Sequence, residues 1–307
     1  MKKVVVLAYG VSSEKEVSLL TGTAVLEALL RKGYDAYLVK VTDDIPKLVN
    51  ELTELKPDVV FNALHGKFGE DGNMQGLLNL MHIPYTHSGV LASALGMNKW
   101  YAKKIAESVG VPVAPDKLVC LDDIRKGDNL PFPYVVKPID EGSSVGVYII
   151  ENETQEENLV KNWVFGGAFV LIESYVKGRE MTVSIVNGEA LGVTEIAPKK
   201  GFYDYNNKYH AGCAKHILPA AIDEKYAEIL MKYALTVHSA LGCRGVSRCD
   251  FRYDDTDKSK PPHIIFLDIN TQPGLTDLSL LPESAKYAGI SYENLVSLLI
   301  EEAQCEG

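Results

Sequence analysis

No two cysteines in this chain are spaced for a metal site or a redox couple. The five (Cys120, Cys213, Cys243, Cys249 and Cys305) are scattered, with no Cys-x-x-Cys among them. They read as thiols in a reducing compartment, which excludes a disulfide frame and a zinc site of the usual spacing. Positive charge is also short. With 31 Lys and Arg against 41 Asp and Glu, the net charge is −10. That weighs against a nucleic acid or an anionic membrane as partner, while leaving room for a local basic pocket. No apolar run is long enough to cross a bilayer. The opening Met1-Lys-Lys-Val-Val-Val-Leu-Ala imitates a signal peptide. However, its apolar run ends at Tyr9-Gly10 and charged residues follow, so it reads as a first strand. The expected location is the cytoplasm. No Gly-x4-Gly-Lys-Ser/Thr occurs, so a Walker A phosphate loop is excluded. There is no internal repeat and no low-complexity segment. What remains is an ordinary globular composition over 307 residues, enough for two or three domains.

The chemistry converges on one stretch near the end, Phe266-Leu-Asp268-Ile-Asn270-Thr-Gln-Pro-Gly274. It reads as a strand from His263 to Ile269 stopped by a turn. Asp268 and Asn270 are two apart, so on a strand they share a face. A carboxylate beside an amide oxygen is a pair of hard oxygen ligands of the kind Mg²⁺ takes alongside phosphate oxygens. Upstream, Gly245-Val-Ser-Arg248-Cys-Asp250-Phe-Arg-Tyr reads as a second strand, with Arg248 and Asp250 on one face. If the strands are neighbours, three metal-type oxygens and a guanidinium meet. Each pair alone also fits two polar positions on a solvent-facing strand. The two together, followed by a glycine that lets backbone approach a ligand, favour function.

The first third has a βαβαβ rhythm: strands at Val4–Ala8, Asp35–Val41 and Asp58–Ala63, with helices at Glu14–Lys32 and Asp44–Leu55 between them. This implies a parallel sheet with right-handed crossovers and a ligand beyond the strands' C-terminal ends. Ser12 or Ser13 is expected to cap the first helix, and Glu14 would then serve its dipole. Short helices follow from Leu91 to Val109, with a domain boundary near Leu95. Pro133–Pro138 and Val147–Ile150 read as strands around Glu141-Gly142-Ser143-Ser144-Val-Gly146. Such a loop, rich in backbone N–H and hydroxyl donors, can cradle phosphates with Lys137 supplying charge, or be a plain flexible turn. Phe169–Val176 is a strand whose edge can hold a flat heterocycle. Met181–Val186 and Ala190–Ile196 form a hairpin over Asn187-Gly188. Pro198 to Lys215 is a long polar and aromatic loop, expected to be a lid. Asp223 is expected to cap a helix to Leu241. Further helices are expected near Glu283–Tyr287 and over Tyr292–Ala303, the last packing on a sheet. His82, His87, His216 and His238 have no partner pattern and read as structural.

These stretches, in this order, resemble the D-alanine–D-alanine ligase family of the ATP-grasp superfamily. The resemblance runs over essentially the whole chain. It is carried by Ser-Ser-Glu14-Lys-Glu-Val-Ser-Leu, His65-Gly-Lys-Phe-Gly-Glu-Asp-Gly, Ser88-Gly-Val, Lys137-Pro with Glu141-Gly-Ser-Ser-Val-Gly, Phe202-Tyr-Asp-Tyr with Lys208-Tyr209, Ser247-Arg248-Cys-Asp250, and Asn270-Thr-Gln-Pro-Gly274. The family implies an α/β fold: an N-terminal parallel α/β (preATP-grasp) domain at 1–95, then a two-part ATP-grasp α+β module. The module would comprise a central subdomain with the phosphate flap at 96–177 and a C-terminal domain with metal site and lid at 178–307.

The resemblance also implies the reaction and the roles. ATP would phosphorylate the carboxylate of one D-alanine, and the amine of a second would displace phosphate to give the dipeptide used in peptidoglycan. Two Mg²⁺ or Mn²⁺ ions would sit on Asp250, Asp268 and Asn270. Lys99, Lys137 and Lys208 would face the phosphates. Adenine would lie on the Glu173 to Val176 edge, with Glu180 on the ribose. Arg248 and the Gly274 N–H would hold the intermediate's oxygen. Glu14 would pair with the first alanine's ammonium, linked through Ser143 and Tyr209, and His65 would help hold that alanine. Ser279 and the Leu280 backbone would receive the second carboxylate. A homodimer is expected. Three positions differ from the family's habit: Tyr9-Gly10 for Gly-Gly, Asp268 for Glu, and Ser174 for Lys. The alternatives are a D-serine or D-lactate ligase and a non-catalytic ATP-grasp nucleotide binder.

Overall fold

The computed structural model describes residues 2–126, 130–142, 145–165, 169–198, 214–276 and 278–306. Three sheets organise them. The first has strand order β2-β1-β3, built from β1 (Lys3–Tyr9), β2 (Asp35–Val41) and β3 (Val59–Asn62), all parallel. Helices α1 (Lys15–Arg31) and α2 (Ile45–Leu55) make the crossovers. The central strand is covered on both faces, so Val4 to Ala8 are all apolar and all fully buried. The expected βαβαβ unit is therefore present, and its loops open at the C-terminal ends of the strands.

After α3 (Asn73–Leu80), α4 (Val90–Met97) and α5 (Lys99–Ser108), the chain enters a four-stranded sheet of order β4-β7-β5-β6. Its strands are β4 (Asp116–Cys120), β5 (Tyr134–Pro138), β6 (Tyr148–Ile150) and β7 (Phe169–Ser174), with α6 (Glu153–Asn162) beside them. The third sheet has order β10-β9-β8-β11-β12. It comprises β8 (Arg179–Val186), β9 (Glu189–Pro198), β10 (Ala214–Ile217), β11 (Val246–Asp254) and β12 (His263–Asn270). The β8–β9 turn has Asn187 at φ 52° and Gly188 at φ 76°, the left-handed pair that a tight hairpin needs. Helix α7 (Glu224–Ala240) backs this sheet, and α8 (Leu280–Tyr287) and α9 (Tyr292–Glu301) close the chain.

Several expectations need correction. Neither Ser12 nor Ser13 caps α1. Glu14 is the N-cap residue, and Ser12 instead accepts the Glu14 N–H at 3.1 Å while donating to the His65 carbonyl at 2.6 Å. The hydroxyl ties two loops together, which local sequence does not reveal. Asp223 stands at the N-cap of α7 but its side chain makes no capping bond. Helix α9 packs on α1 and α8 and, as expected, its apolar face joins one core with the sheet. One core accordingly joins Val4, Val6, Leu29 and Phe61 near the start to Leu281, Leu299 and Ile300 near the end. Arg31 of α1 also meets Glu293 of α9 at 3.1 Å.

Helix α3, strand β4 and helix α6 had no clear sequence signal. Helix α3 is short and carries Gly76. All five residues of β4 are only half-buried, so no alternation shows. In α6 the one buried residue is Leu159, so there is no apolar stripe to detect.

Candidate active site

An open cleft lies between the four-stranded and five-stranded sheets. Strands β11 and β12 form one wall. They pair antiparallel with Arg248 opposite Asn270 and Asp250 opposite Asp268. Alternation along each strand turns all four toward the cleft. The expected meeting of carboxylates, amide and guanidinium is therefore present.

Arg248 grips Asp250 through two bonds, Nε to Oδ1 and a terminal nitrogen to Oδ2, each 3.0 Å. Thr182 of the neighbouring β8 donates to Asp250 Oδ1 at 2.6 Å. Asp268 accepts the Ile269 N–H at 2.9 Å, and its other oxygen lies 3.7 Å from the Lys99 ammonium. Asn270 accepts the Gln272 N–H at 2.8 Å, which starts the turn toward Gly274.

Among the described residues, no group of three or more His, Cys, Asp or Glu is arranged to hold a metal. The set here is two carboxylates and an amide, with no nitrogen or sulfur donor. That is an incomplete shell of hard oxygens, which suits a cation that completes its coordination with phosphate and water, as Mg²⁺ does. The donor chemistry thus fits the implied ions.

The opposite wall carries Lys137 on β5 and Glu173 and Ser174 on β7, followed by Tyr175 and Val176 of the linker. Glu173 is almost fully buried. One of its oxygens takes Lys137 and the other Lys103, both at 2.7 Å. Burial pushes the carboxyl pKa up, but the two ammonium groups outweigh it and hold it at about 2. Burial lowers the Lys137 pKa, and the nearby Lys103 adds to this. Lys99, first residue of α5, donates to the Glu141 carbonyl and so ties the helix to the flap.

The linker between the sheets is held by Arg252, which donates to the Val176 carbonyl at 3.2 Å and the Gly178 carbonyl at 2.6 Å. Arg252 also lies 3.7 Å from Glu180, its partner across β11 and β8.

A second cluster gathers at the end of the parallel sheet. Glu14 is buried, and its Oε2 would lie 2.7 Å from a Cβ built on Gly142 and 3.0 Å from one on Gly66. The flap, the His65 loop and the α1 N-terminus therefore converge on this carboxylate. His65 is buried with Thr21 3.2 Å from its Nε2 and Glu70 4.0 Å from its Nδ1. Burial pulls the imidazole pKa down, yet the Glu70 and Glu14 carboxylates outweigh it and hold the pKa above its ordinary value. Tyr9, where the family favours glycine, adopts a left-handed φ of 79°, and Lys15 lies 5.5 Å over its ring.

Gly274 and Ser279 are brought together: a Cβ on Gly274 would lie 3.0 Å from Ser279 Oγ. Ser279 is the N-cap of α8 and accepts the Thr276 N–H at 3.0 Å, and Leu280 begins the helix. This turn is anchored to the parallel sheet by Gln272, which bonds Asn62 at 3.1 Å and the Leu64 carbonyl. Ser143, Lys208 and Tyr209 lie outside the described residues, as does most of the expected lid.

Sequence reasoning missed Glu70, Lys103, Thr182 and Arg252. Two had a signal. Arg252 continues the alternation of Arg248 and Asp250 along β11, and Lys103 lies one helical turn after Lys99. Glu70 and Thr182 are placed by contacts between elements and had none.

Two family models match the chain: the D-ala D-ala ligase N-terminus over residues 44–88 and the D-ala D-ala ligase C-terminus over residues 105–301. A D-alanine–D-alanine ligase of Paramagnetospirillum magneticum is 48% identical over 306 residues, covering 99% of each chain. The solved D-alanine–D-alanine ligase of Bacillus anthracis complexed with ATP superposes with a TM-score of 0.80 at 33% identity, covering 98% of this chain and 96% of that one. The VanG D-Ala:D-Ser ligase of Enterococcus faecalis also superposes at 0.80, with 28% identity and 98% coverage of both. With both halves of its sequence matched by the family's models and nearly all its length shared with a close relative, this chain belongs to the D-alanine–D-alanine ligase family.

Proposed function

We propose that this chain joins two D-alanine molecules into D-alanyl-D-alanine for peptidoglycan, using ATP and passing through an acylphosphate. The pairing of Arg248–Asp250 with Asn270–Asp268 on one cleft wall carries this reading. It sets a guanidinium and hard oxygens in the same cleft as Lys137. Two Mg²⁺ or Mn²⁺ ions held by Asp250, Asp268 and Asn270 would neutralise the phosphates during transfer.

In the first step a carboxylate oxygen of D-alanine bonds to the γ-phosphorus and ADP leaves. Lys99, Lys137 and Lys208 balance the phosphate charge. Val176 and Glu173 border the adenine, and Glu180 meets the ribose, with Arg252 fixing that end of the cleft. Glu14 binds the first alanine's ammonium, and His65 steadies it. In the second step the amine of the other D-alanine bonds to the acyl carbon and phosphate departs. Arg248 and the Gly274 N–H receive the negative charge that develops on the carbonyl oxygen. Ser279 and the Leu280 backbone take the second alanine's carboxylate, and Ser143 and Tyr209 link the substrates to Glu14. The division at residues 95 and 177, a homodimer and a cytoplasmic location belong to the same proposal. Among the described residues, no helix is long and apolar enough to cross a membrane.

The likeness to a D-Ala:D-Ser ligase favours one second reading, in which the acceptor is D-serine. Phosphate release from ATP and Mg²⁺ tests both. D-Alanine alone should stimulate release and yield the dipeptide, and L-alanine should not. Release that requires D-serine would establish the second reading, and ATP binding without any amino-acid stimulation would overturn both.

A further inference from the structure

Lys103 is a fully buried lysine that the reaction does not touch. It sits on α5 four residues after Lys99, so the two ammonium groups leave the same side of the helix. Lys99 reaches the cleft. Lys103 runs beneath it, with its ammonium 2.7 Å from Glu173 Oε2, 2.9 Å from Asp116 Oδ2 and 3.3 Å from the Ala114 carbonyl. Asp116 is shared with Lys104 at 2.9 Å. Two buried acids and two buried lysines thus form a line from the back of the four-stranded sheet to the cleft: Asp116, Lys103, Glu173, Lys137.

Only Lys137, at the end of that line, lines the cleft among the two lysines. Among the described residues Glu173 is its one hydrogen-bond partner, through Oε1 alone. An ammonium has three N–H donors, so donors remain for an anion in the cleft. This division depends on the other oxygen being occupied. A buried carboxylate oxygen left without a donor is costly. Without Lys103, Glu173 Oε2 has Lys137 as its nearest cation, and the carboxylate turns to take a second donor from it.

We propose that Lys103 is a positioning residue for nucleotide binding: by holding one oxygen of Glu173, it keeps the Lys137 ammonium free to meet the phosphates. The proposal rests on the reading of Lys137 as a phosphate contact. It assigns the buried pair a task beyond cohesion, since replacing a buried ion pair by apolar groups is often neutral for stability.

The test uses the full chain and steady-state phosphate release, with ATP and D-alanine each varied at saturating levels of the other. Three variants are compared: Lys103→Gln, the double variant Lys103→Met/Asp116→Asn, which removes one charge of each sign, and Lys137→Met. Folding is checked by circular dichroism and thermal melting. For each folded Lys103 variant the KM for ATP should rise on the order of tenfold, as for a lost charge-assisted hydrogen bond. The KM for D-alanine and kcat should stay within about twofold. An unchanged KM for ATP, or an equal rise in both KM values, overturns the proposal. Loss of fold in both Lys103 variants also overturns it, because Lys103 is then a structural staple. If Lys137→Met leaves the KM for ATP unchanged, the underlying reading of Lys137 fails, separately from the Lys103 result.

Discussion

Arg248 and Asp250, two residues apart on one strand, face each other through a pair of 3.0 Å bonds, so a guanidinium and a carboxylate share one edge of the cleft. The bidentate grip fixes the plane and direction of the guanidinium. Arg248→Ala should lower kcat by about a hundred- to thousandfold, the usual loss for one oxyanion donor. ATP should still raise the melting temperature of the variant. Near-normal turnover would remove Arg248 from the chemistry.

Asp268 is one methylene shorter than the family's glutamate, yet it faces Asp250 directly across the ladder. Asp268→Asn removes one of the two carboxylate charges on this wall of the cleft, where the ions are proposed to sit. The Mg²⁺ concentration for half-maximal phosphate release should rise on the order of tenfold, roughly the effect of losing one charged contact. Asp268→Glu should stay close to the parent in the same titration. A Mg²⁺ dependence that Asp268→Asn leaves unmoved would exclude this residue as a ligand.

Acid should weaken the fold in two stages. His87 is buried against Phe61, and burial lowers its pKa from the usual 6.5 to about 3. The unfolded chain therefore takes up a proton below pH 6.5 that the folded chain refuses. Stability is complete above that pH and falls as the pH drops toward 3, by at most about 1.4 kcal/mol per pH unit. Glu173, held at about 2 rather than 4.5, adds a loss of the same sign below pH 4.5. Urea unfolding between pH 7 and 4.5 covers the histidine window, which His87 shares with His238, also lowered by burial, and with His65, raised by its carboxylate neighbours, so the His87 share is read from a variant. His87→Asn, which tolerates the φ of 72° at this position, should flatten that part of the curve.

Gly178 begins the run from the linker into β8 with a φ of 91°, where a Cβ would come within 2.6 Å of the Asp254 Cα. Gly178→Ala must move the linker whose carbonyls Arg252 holds. We expect a loss of about 2 kcal/mol or more, from the left-handed conformation together with the clash. The KM for ATP should rise with it. A variant with parental melting temperature and KM would show that the linker shifts freely.

The sequence by itself determined the parallel first sheet, the two site strands, and the residue types that each presents on one face. Those follow from short-range rules: uninterrupted apolar runs for buried parallel strands, period-two alternation for shared faces, and Asn-Gly for the hairpin turn. The ordered motifs were enough to place the family. Only the tertiary structure decided which distant groups are partners. Ser12 or Ser13 was expected to cap a helix, and Ser12 instead binds the loop at His65. Gln272 reaches Asn62 across 210 positions. Lys103 shares a helix side with Lys99, yet it is sealed between Asp116 and Glu173. In each case the hydrogen-bonding and burial needs of a side chain are met by whichever element packs against it, and that neighbour is set by the packing of the whole chain, not by residues nearby in sequence.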